Sequence, residues 1–108
     1  MMTHGPPLFS EADSYGLDKS QDGKHCGCAR LARAIRRVKP RLHSFGHIHE
    51  GSGAMRMNWD SGQLTTAGKV SNEKPEVLEI GCGTKEKETL LINAAVQEGK
   101  AWLVDMEL

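Results

Sequence analysis

Two histidines in the segment Gly46-His47-Ile48-His49-Glu50-Gly51 are the residues of this chain best placed to do chemistry. Side chains at positions i and i+2 of an extended segment leave the backbone on the same side, so we expect His47 and His49 to face one ligand. Two imidazoles arranged in this way can bind one metal ion, or one each of two neighbouring ions. Taken alone, an H-x-H pair belongs more often to a surface strand than to a metal site.

A third histidine, His4, lies in a second motif, His4-Gly5-Pro6-Pro7. The glycine permits a sharp turn, and the two prolines stiffen the chain that leaves it. A ligand on a stiff loop loses less conformational entropy when it binds a metal ion. Because a domain must lay down a scaffold before it can aim such a motif, we interpret residues 1–2 as the tail of a strand. We expect His4 to converge in space with His47 and His49.

Two other clusters have a structural explanation beside a functional one. The segment His25-Cys26-Gly27-Cys28 superficially resembles a zinc motif, but no second pair of ligands completes a four-ligand site. The run from Arg30 to Arg41 contains basic residues and no acidic residue, and it could follow a phosphate backbone. An apolar stripe on the opposite face makes a solvated helix surface the better explanation.

The elements that must position these motifs are predicted from hydrophobic periodicity. Residues 26–39 form the best helix, because apolar residues recur at spacings of three and four on one face. That face holds Cys28, Leu31, Ala32, Ile35 and Val38. Pro40 ends the helix, and residues 41–45 alternate as a short strand that leads into the H-x-H segment. A strand followed by a functional loop is the usual arrangement in α/β proteins.

Further along the chain, the pattern predicts strands separated by polar segments. Residues 8–25 are polar and irregular, which predicts a loop long enough to border a site. Residues 55–59 and 89–95 are predicted strands, and residues 102–108 are predicted to pair with the latter in a closing hairpin. Residues 60–89 carry few apolar side chains outside one apolar segment, Val77-Leu78-Glu79-Ile80, so we expect a long insertion there that is largely mobile apart from that segment.

Charge, length and cysteine count narrow the class of protein. With 14 basic and 14 acidic residues, the formal net charge is zero, and it gives no reason to expect a nucleic acid or a membrane as partner. Three cysteines do not suggest a disulfide framework. We find neither a signal peptide nor an apolar run that spans a membrane, so we expect a cytoplasmic protein. From the length of 108 residues we expect one domain.

The order of these motifs resembles the calcineurin-like metallophosphoesterase family, and in particular its metallophosphoesterase-domain-containing subgroup. The resemblance covers about residues 1–59 and 89–97. The matching segments are Thr3-His4-Gly5-Pro6-Pro7, Gly27-Cys28, Lys39-Pro40-Arg41-Leu42-His43, Phe45-Gly46-His47-Ile48-His49-Glu50-Gly51 and Leu91-Ile92-Asn93-Ala94-Ala95. Their order and surrounding residues make the resemblance specific.

The resemblance implies a role for each histidine and a fold for the chain. His4 and His47 would bind the second metal of a dinuclear site, and His49 would bind the first. The implied cofactors are two divalent ions, which can be manganese, iron, zinc or magnesium. The implied fold is α/β, the C-terminal half of a two-sheet β-sandwich flanked by helices. Its reaction is hydrolysis of a small-molecule phosphomonoester or phosphodiester by a metal-activated water, and Gly51 and Gly53 are expected to shape the substrate site.

The chain also departs from the family pattern. The family's D-x-H, G-D-x-x-D and G-N-H-[DE] motifs, which supply the bridging aspartate, most oxygen ligands and the leaving-group acid, do not occur in this sequence. Three neutral imidazoles cannot offset the charge of two divalent ions and a phosphate. We therefore expect residues 1–108 to be the C-terminal half of the domain and inactive alone. The alternative is a catalytically inactive remnant that acts as a binding or regulatory module.

Overall fold

The structure, a computed structural model, describes residues 1–9, 15–68 and 88–95. Within these ranges the chain forms one α-helix, one short 3-10 helix and four β-strands. In chain order these are α1 (Ala29–Val38), β1 (Leu42–Phe45), the 3-10 helix His49–Gly51, β2 (Gly53–Asn58), β3 (Leu64–Gly68) and β4 (Glu88–Asn93). Neither of these helices has the length and apolar character needed to cross a membrane.

The four strands form one mixed sheet in the order β1-β4-β2-β3. Strands β1 and β4 run parallel, and their last residues, Phe45 and Asn93, lie opposite each other. Strand β2 runs antiparallel to both β4 and β3. Met2 forms an isolated parallel bridge with Ser44 of β1, which agrees with the interpretation of residues 1–2 as the tail of a strand. One mixed sheet with one helix is compatible with the α/β class, whereas the expected second sheet and family half-domain stay predictions.

Helix α1 confirms the predicted amphipathic segment but is shorter at its start. Ala32 and Ile35 are buried, as the apolar stripe predicts. Cys28 does not pack under the helix as expected, because it is the extended N-cap residue and is exposed. Val38 is 54% exposed, because the helix ends at once in Lys39, whose left-handed backbone (φ 50°) turns the chain away.

A single buried cluster joins the helix, the sheet and the segments before the helix. Its members are Phe9, Tyr15, Leu17, Ala32, Ile35, Phe45, Met55, Met57, Leu64 and Leu91. Three members from outside the helix and sheet were not predicted, namely Phe9, Tyr15 and Leu17. Tyr15 packs edge-on against Phe9 at 5.5 Å between ring centroids, and the guanidinium of Arg36 on α1 lies 5.5 Å from the Phe9 ring centroid. The predicted loop at residues 8–25 therefore supplies part of the core.

The expected insertion at residues 60–89 begins with regular structure. Residues 59–61 form a turn, and β3 (Leu64–Gly68) then pairs with β2. This strand was not predicted, because its segment contains few apolar residues. Its pairing depends on the neighbouring strand as much as on its own side chains. Residues 69–87, including the predicted apolar segment there, and the predicted hairpin at residues 97–108 lie outside the described residues, so the mobility of the insertion stays a prediction.

Candidate functional site

The imidazole rings of His4 and His47 lie side by side. Their ring centroids are 4.9 Å apart and their planes are tilted by 51°. The backbone brings them together, since the Gly46 amide donates a 2.9 Å hydrogen bond to the His4 carbonyl oxygen. Two imidazoles that bind one tetrahedral ion through nitrogens about 2 Å from it have their centroids roughly 5 Å apart. Both residues are exposed, so the expected convergence of His4 and His47 is found at an accessible surface.

His47 occupies the centre of a tight turn. Its φ is 73°, a value that few residues other than glycine adopt, and the Ile48 amide donates to the Gly46 carbonyl oxygen at 2.9 Å. A hydrogen bond between residues i+2 and i around a central residue of positive φ is the pattern of a γ-turn of the rarer, strained kind. Strained backbone is found where the surrounding structure enforces it, often at functional sites.

His49 takes a different position from the one expected. The premise that residues 47–49 are extended is wrong, because the turn at His47 is followed directly by the 3-10 helix that begins at His49. The i, i+2 rule for strands therefore does not apply to this pair. Within residues 1–9, 15–68 and 88–95, no group of three or more His, Cys, Asp or Glu side chains is placed to hold a metal ion. His49 thus does not complete a three-ligand group with His4 and His47, and its role as a ligand stays a prediction.

The two glycines expected at the substrate site are both buried. A Cβ on Gly51 would lie 2.5 Å from the Leu17 carbonyl oxygen, so this position needs a glycine for packing alone. Gly53 begins β2 with a φ of 151° and pairs with Asn93 of β4. Close packing explains Gly51 and the positive φ explains Gly53 without a substrate, and the contact of either glycine with one stays a prediction.

His43 supports the segment that carries His4. It is fully buried on β1, and its Nε2 lies 2.9 Å from the Thr3 hydroxyl oxygen. Because the Thr3 hydroxyl donates to the Gly5 carbonyl oxygen at 3.0 Å, Nε2 is the protonated nitrogen and donates to Thr3. Burial, with a smaller contribution from the N-terminal ammonium, lowers the pKa of His43 to about 4. A neutral histidine thus fixes the residues on either side of His4.

A buried carboxylate that sequence analysis passed over organises the loop before α1. Asp18 is fully buried, accepts a 2.7 Å hydrogen bond from His25 Nδ1, and accepts a 3.0 Å bond from the Gly27 amide. The Tyr15 ring stacks parallel to the His25 ring at 6.5 Å. Among residues 1–9, 15–68 and 88–95 no group of three or more His, Cys, Asp or Glu side chains is placed to hold a metal ion, so the bonds to Asp18 explain the zinc-like segment as loop structure. The glycine at position 27 is required by close packing, because a Cβ there would lie within 3 Å of both the Pro7 carbonyl group and the Asp18 carboxylate.

The buried side-chain amide of Asn93 connects the turn centred on His47 to the rest of the fold. Asn93 ends β4 and donates from Nδ2 to the carbonyl oxygens of Ile48 and Leu17, each at 2.8 Å. Its Oδ1 accepts the Ala95 amide at 3.0 Å. Only its place in the Leu91–Ala95 segment hinted at a role, because its partners lie 45 and 76 positions away in the sequence.

Comparison with known proteins found relatives for about half of the chain. It is 48% identical over 54 residues to a UPF0046 protein of Caenorhabditis elegans, and this match covers 49% of the chain and 18% of that protein. It is 47% identical over 57 residues to Metallophosphoesterase domain-containing protein 1 of Homo sapiens, which covers 51% of the chain and 16% of that protein. The chain thus spans less than a fifth of the length of these relatives. No family model matches the chain, and no solved structure matches it.

Proposed function

From the relationship of this chain to metallophosphoesterase-domain proteins, we propose that it is part of a metal-dependent phosphoester hydrolase of the calcineurin-like family. The observation that carries the proposal is the pairing of His4 and His47, whose ring centroids lie 4.9 Å apart although the residues come from separate motifs. In this proposal His4, His47 and His49 are metal ligands, and none of them is a nucleophile. The substrate is a small-molecule phosphoester, either a monoester or a diester.

The side chains present fit one side of a metal site. Two exposed imidazoles at this separation suit a divalent transition metal such as zinc, manganese or iron better than magnesium, which prefers oxygen ligands. When bound, such ions stabilise negative charge that develops on phosphoryl oxygens. The contribution of His4 and His47 is to bind and orient, held by the hydrogen bond from the Gly46 amide to the His4 carbonyl oxygen.

The other side of the site requires residues that this sequence does not contain. No D-x-H, G-D-x-x-D or G-N-H-[DE] motif occurs in it. Within the described ranges, no third potential ligand joins the histidine pair. We propose that carboxylate ligands and the acid that protonates the leaving group come from polypeptide outside this chain. The 108-residue chain alone is then inactive towards phosphoesters.

Hydrolysis of bis-p-nitrophenyl phosphate with manganese tests this proposal. We expect no turnover from the 108-residue chain, and turnover when it is joined to a family segment that carries the three acidic motifs. In that joined protein His47→Ala abolishes turnover, whereas the control His25→Gln, which changes a histidine outside the pair, retains it. Turnover by the 108-residue chain that disappears in a His47→Ala, His49→Ala double variant would overturn the half-site proposal. Zinc binding without turnover by the joined protein would favour the alternative, an inactive binding or regulatory module.

A further inference from the structure

Asn93 is a buried amide whose hydrogen-bonding groups all reach backbone outside its own strand pairing. Its side chain is 0% exposed, at the end of β4 beside the end of β1. Its Nδ2 donates to the Leu17 and Ile48 carbonyl oxygens, and its Oδ1 accepts the Ala95 amide. An asparagine amide has two N–H donors, so both are used. Three separate segments of chain are thus joined by one side chain.

Of the three hydrogen-bond partners of Asn93, the Ile48 carbonyl is the one in the segment that carries the candidate metal ligands. It belongs to the peptide that joins Ile48 to His49, at the end of the turn centred on His47, so a fixed carbonyl fixes the orientation of that peptide plane. It also accepts the Gly51 amide at 3.2 Å, so the Asn93 side chain and the 3-10 helix share one acceptor. An acceptor held from two sides cannot rotate without the loss of both hydrogen bonds.

The Leu17 carbonyl provides the opposite anchor. It lies so close to Gly51 that a Cβ there would come within 2.5 Å of its oxygen. Leu17 precedes Asp18, which is fully buried and bonded to His25 and the Gly27 amide, so this anchor belongs to a firmly held loop. The Asn93 amide therefore connects the turn centred on His47 to the firmly held loop at Leu17 as well as to the sheet.

A strained turn needs such support. The backbone at His47, with a φ of 73°, is higher in energy than an ordinary turn and persists only where its surroundings enforce it. The bond from the Gly46 amide to the His4 carbonyl oxygen holds the turn on one side, and the Asn93 bond to the Ile48 carbonyl oxygen holds it on the other.

We propose that Asn93 is a positioning residue for the metal site, which holds the turn at His47 so that its ring faces His4. This inference rests on the proposed function for its consequence in metal binding, whereas the placement of the turn is a property of the chain alone. Outer residues that orient metal ligands change metal affinity by about 10- to 100-fold when they are replaced.

The test compares Asn93→Ala with Asn58→Ala in the 108-residue chain. Asn58 is a matched control, because its side-chain oxygen also accepts backbone amides, those of Asp60 and Ser61, but in the turn between β2 and β3. In the metal-free chain, we expect nuclear Overhauser contacts between the His4 and His47 rings to be lost in Asn93→Ala and kept in Asn58→Ala. In titrations with zinc, we expect affinity to fall at least tenfold in Asn93→Ala and to stay unchanged in Asn58→Ala.

The two readouts separate failure of this inference from failure of the proposed function. If neither the unmodified chain nor the protein joined to the three acidic motifs binds zinc, the proposed function fails, and the ring contacts still decide the role of Asn93. Retained ring contacts and unchanged zinc affinity in a folded Asn93→Ala variant would overturn the inference. If that variant does not fold, the unmodified chain is warmed instead. Hydrogen exchange of the Asn93 side-chain amide is then followed together with the nuclear Overhauser contacts between the His4 and His47 rings. Loss of both together supports the inference, and ring contacts that outlast the protection of the Asn93 amide overturn it.

Discussion

At the scale of single residues, His47 combines a candidate metal-binding side chain with a strained backbone conformation. The residue presents its ring to His4 at 4.9 Å and at the same time has a φ of 73°, which a glycine would adopt with less strain. Stability alone would favour glycine at the centre of this turn. A histidine there is consistent with selection for its side chain, because this backbone conformation is less favourable for histidine than for glycine.

This reasoning predicts that the choice of replacement at His47 changes stability but does not change the loss of zinc binding. We expect His47→Gly to unfold at a higher urea concentration than His47→Ala, by about 1 kcal/mol in the free energy of unfolding, because glycine relieves the left-handed strain. Both variants should lose zinc affinity equally. Equal stability of the two variants would show that the turn at His47 is unstrained.

A second prediction at this scale concerns the pH dependence of stability. Burial lowers the pKa of His43 to about 4, so between pH 6.5 and 4 the unfolded chain binds a proton at this residue that the folded chain does not. The free energy of unfolding is therefore unaffected by this residue above pH 6.5 and falls as the pH is lowered towards 4, by roughly 3 kcal/mol in all. Urea unfolding at pH 7.5 and pH 4.5 measures the loss. We expect a smaller loss in His43→Gln, which keeps an N–H donor but does not titrate, and an identical loss would exclude His43 as the cause.

At the scale of elements, the sequence predicted what depends on local periodicity. Helix α1, β1 and β4 were found close to their predicted bounds, since apolar spacing reports a buried face directly. The H-x-H segment was predicted as extended and is a turn followed by a 3-10 helix, because the backbone there is set by bonds to His4 and Asn93 that local pattern does not encode. Asp18 and Asn93 were missed as structural residues for the same reason.

The close approach of two loops gives a prediction at this scale. Gly51→Ala would place a Cβ 2.5 Å from the backbone oxygen of Leu17, and backbone cannot move aside cheaply. We expect a loss of at least about 2 kcal/mol in stability, the size typical of overpacking a buried site. Gly5→Ala is the control, because a Cβ at Gly5 meets nothing within 4 Å. Thermal unfolding of both variants measures the difference, and an unchanged midpoint for Gly51→Ala would mean that the loop at Leu17 is free to move.

At the scale of the whole molecule, the order of the sheet explains why the site residues meet. The bridge at Met2 and strand β4 both run parallel to β1. His4, His47 and Asn93 therefore follow, or end, neighbouring parallel segments at their carboxyl ends. Ligands in open α/β sheets bind at such ends. The sequence predicted that strands precede the motifs, but the pairing that sets their order depends on contacts between distant segments.

The last prediction is that zinc stabilises the whole fold through a residue at its first segment. A ligand that binds only the folded chain raises the free energy of unfolding by RT ln(1 + [L]/Kd), which is about 2.7 kcal/mol at a hundredfold excess over Kd. Because the His4 and His47 rings share one site, His4→Ala should abolish this gain as completely as His47→Ala does. His25→Gln should retain it, since His25 Nδ1 is bonded to Asp18 and its ring stacks on Tyr15. Urea unfolding with and without zinc measures the gain, and a gain that survives in His4→Ala would show that the two rings do not bind a common ion.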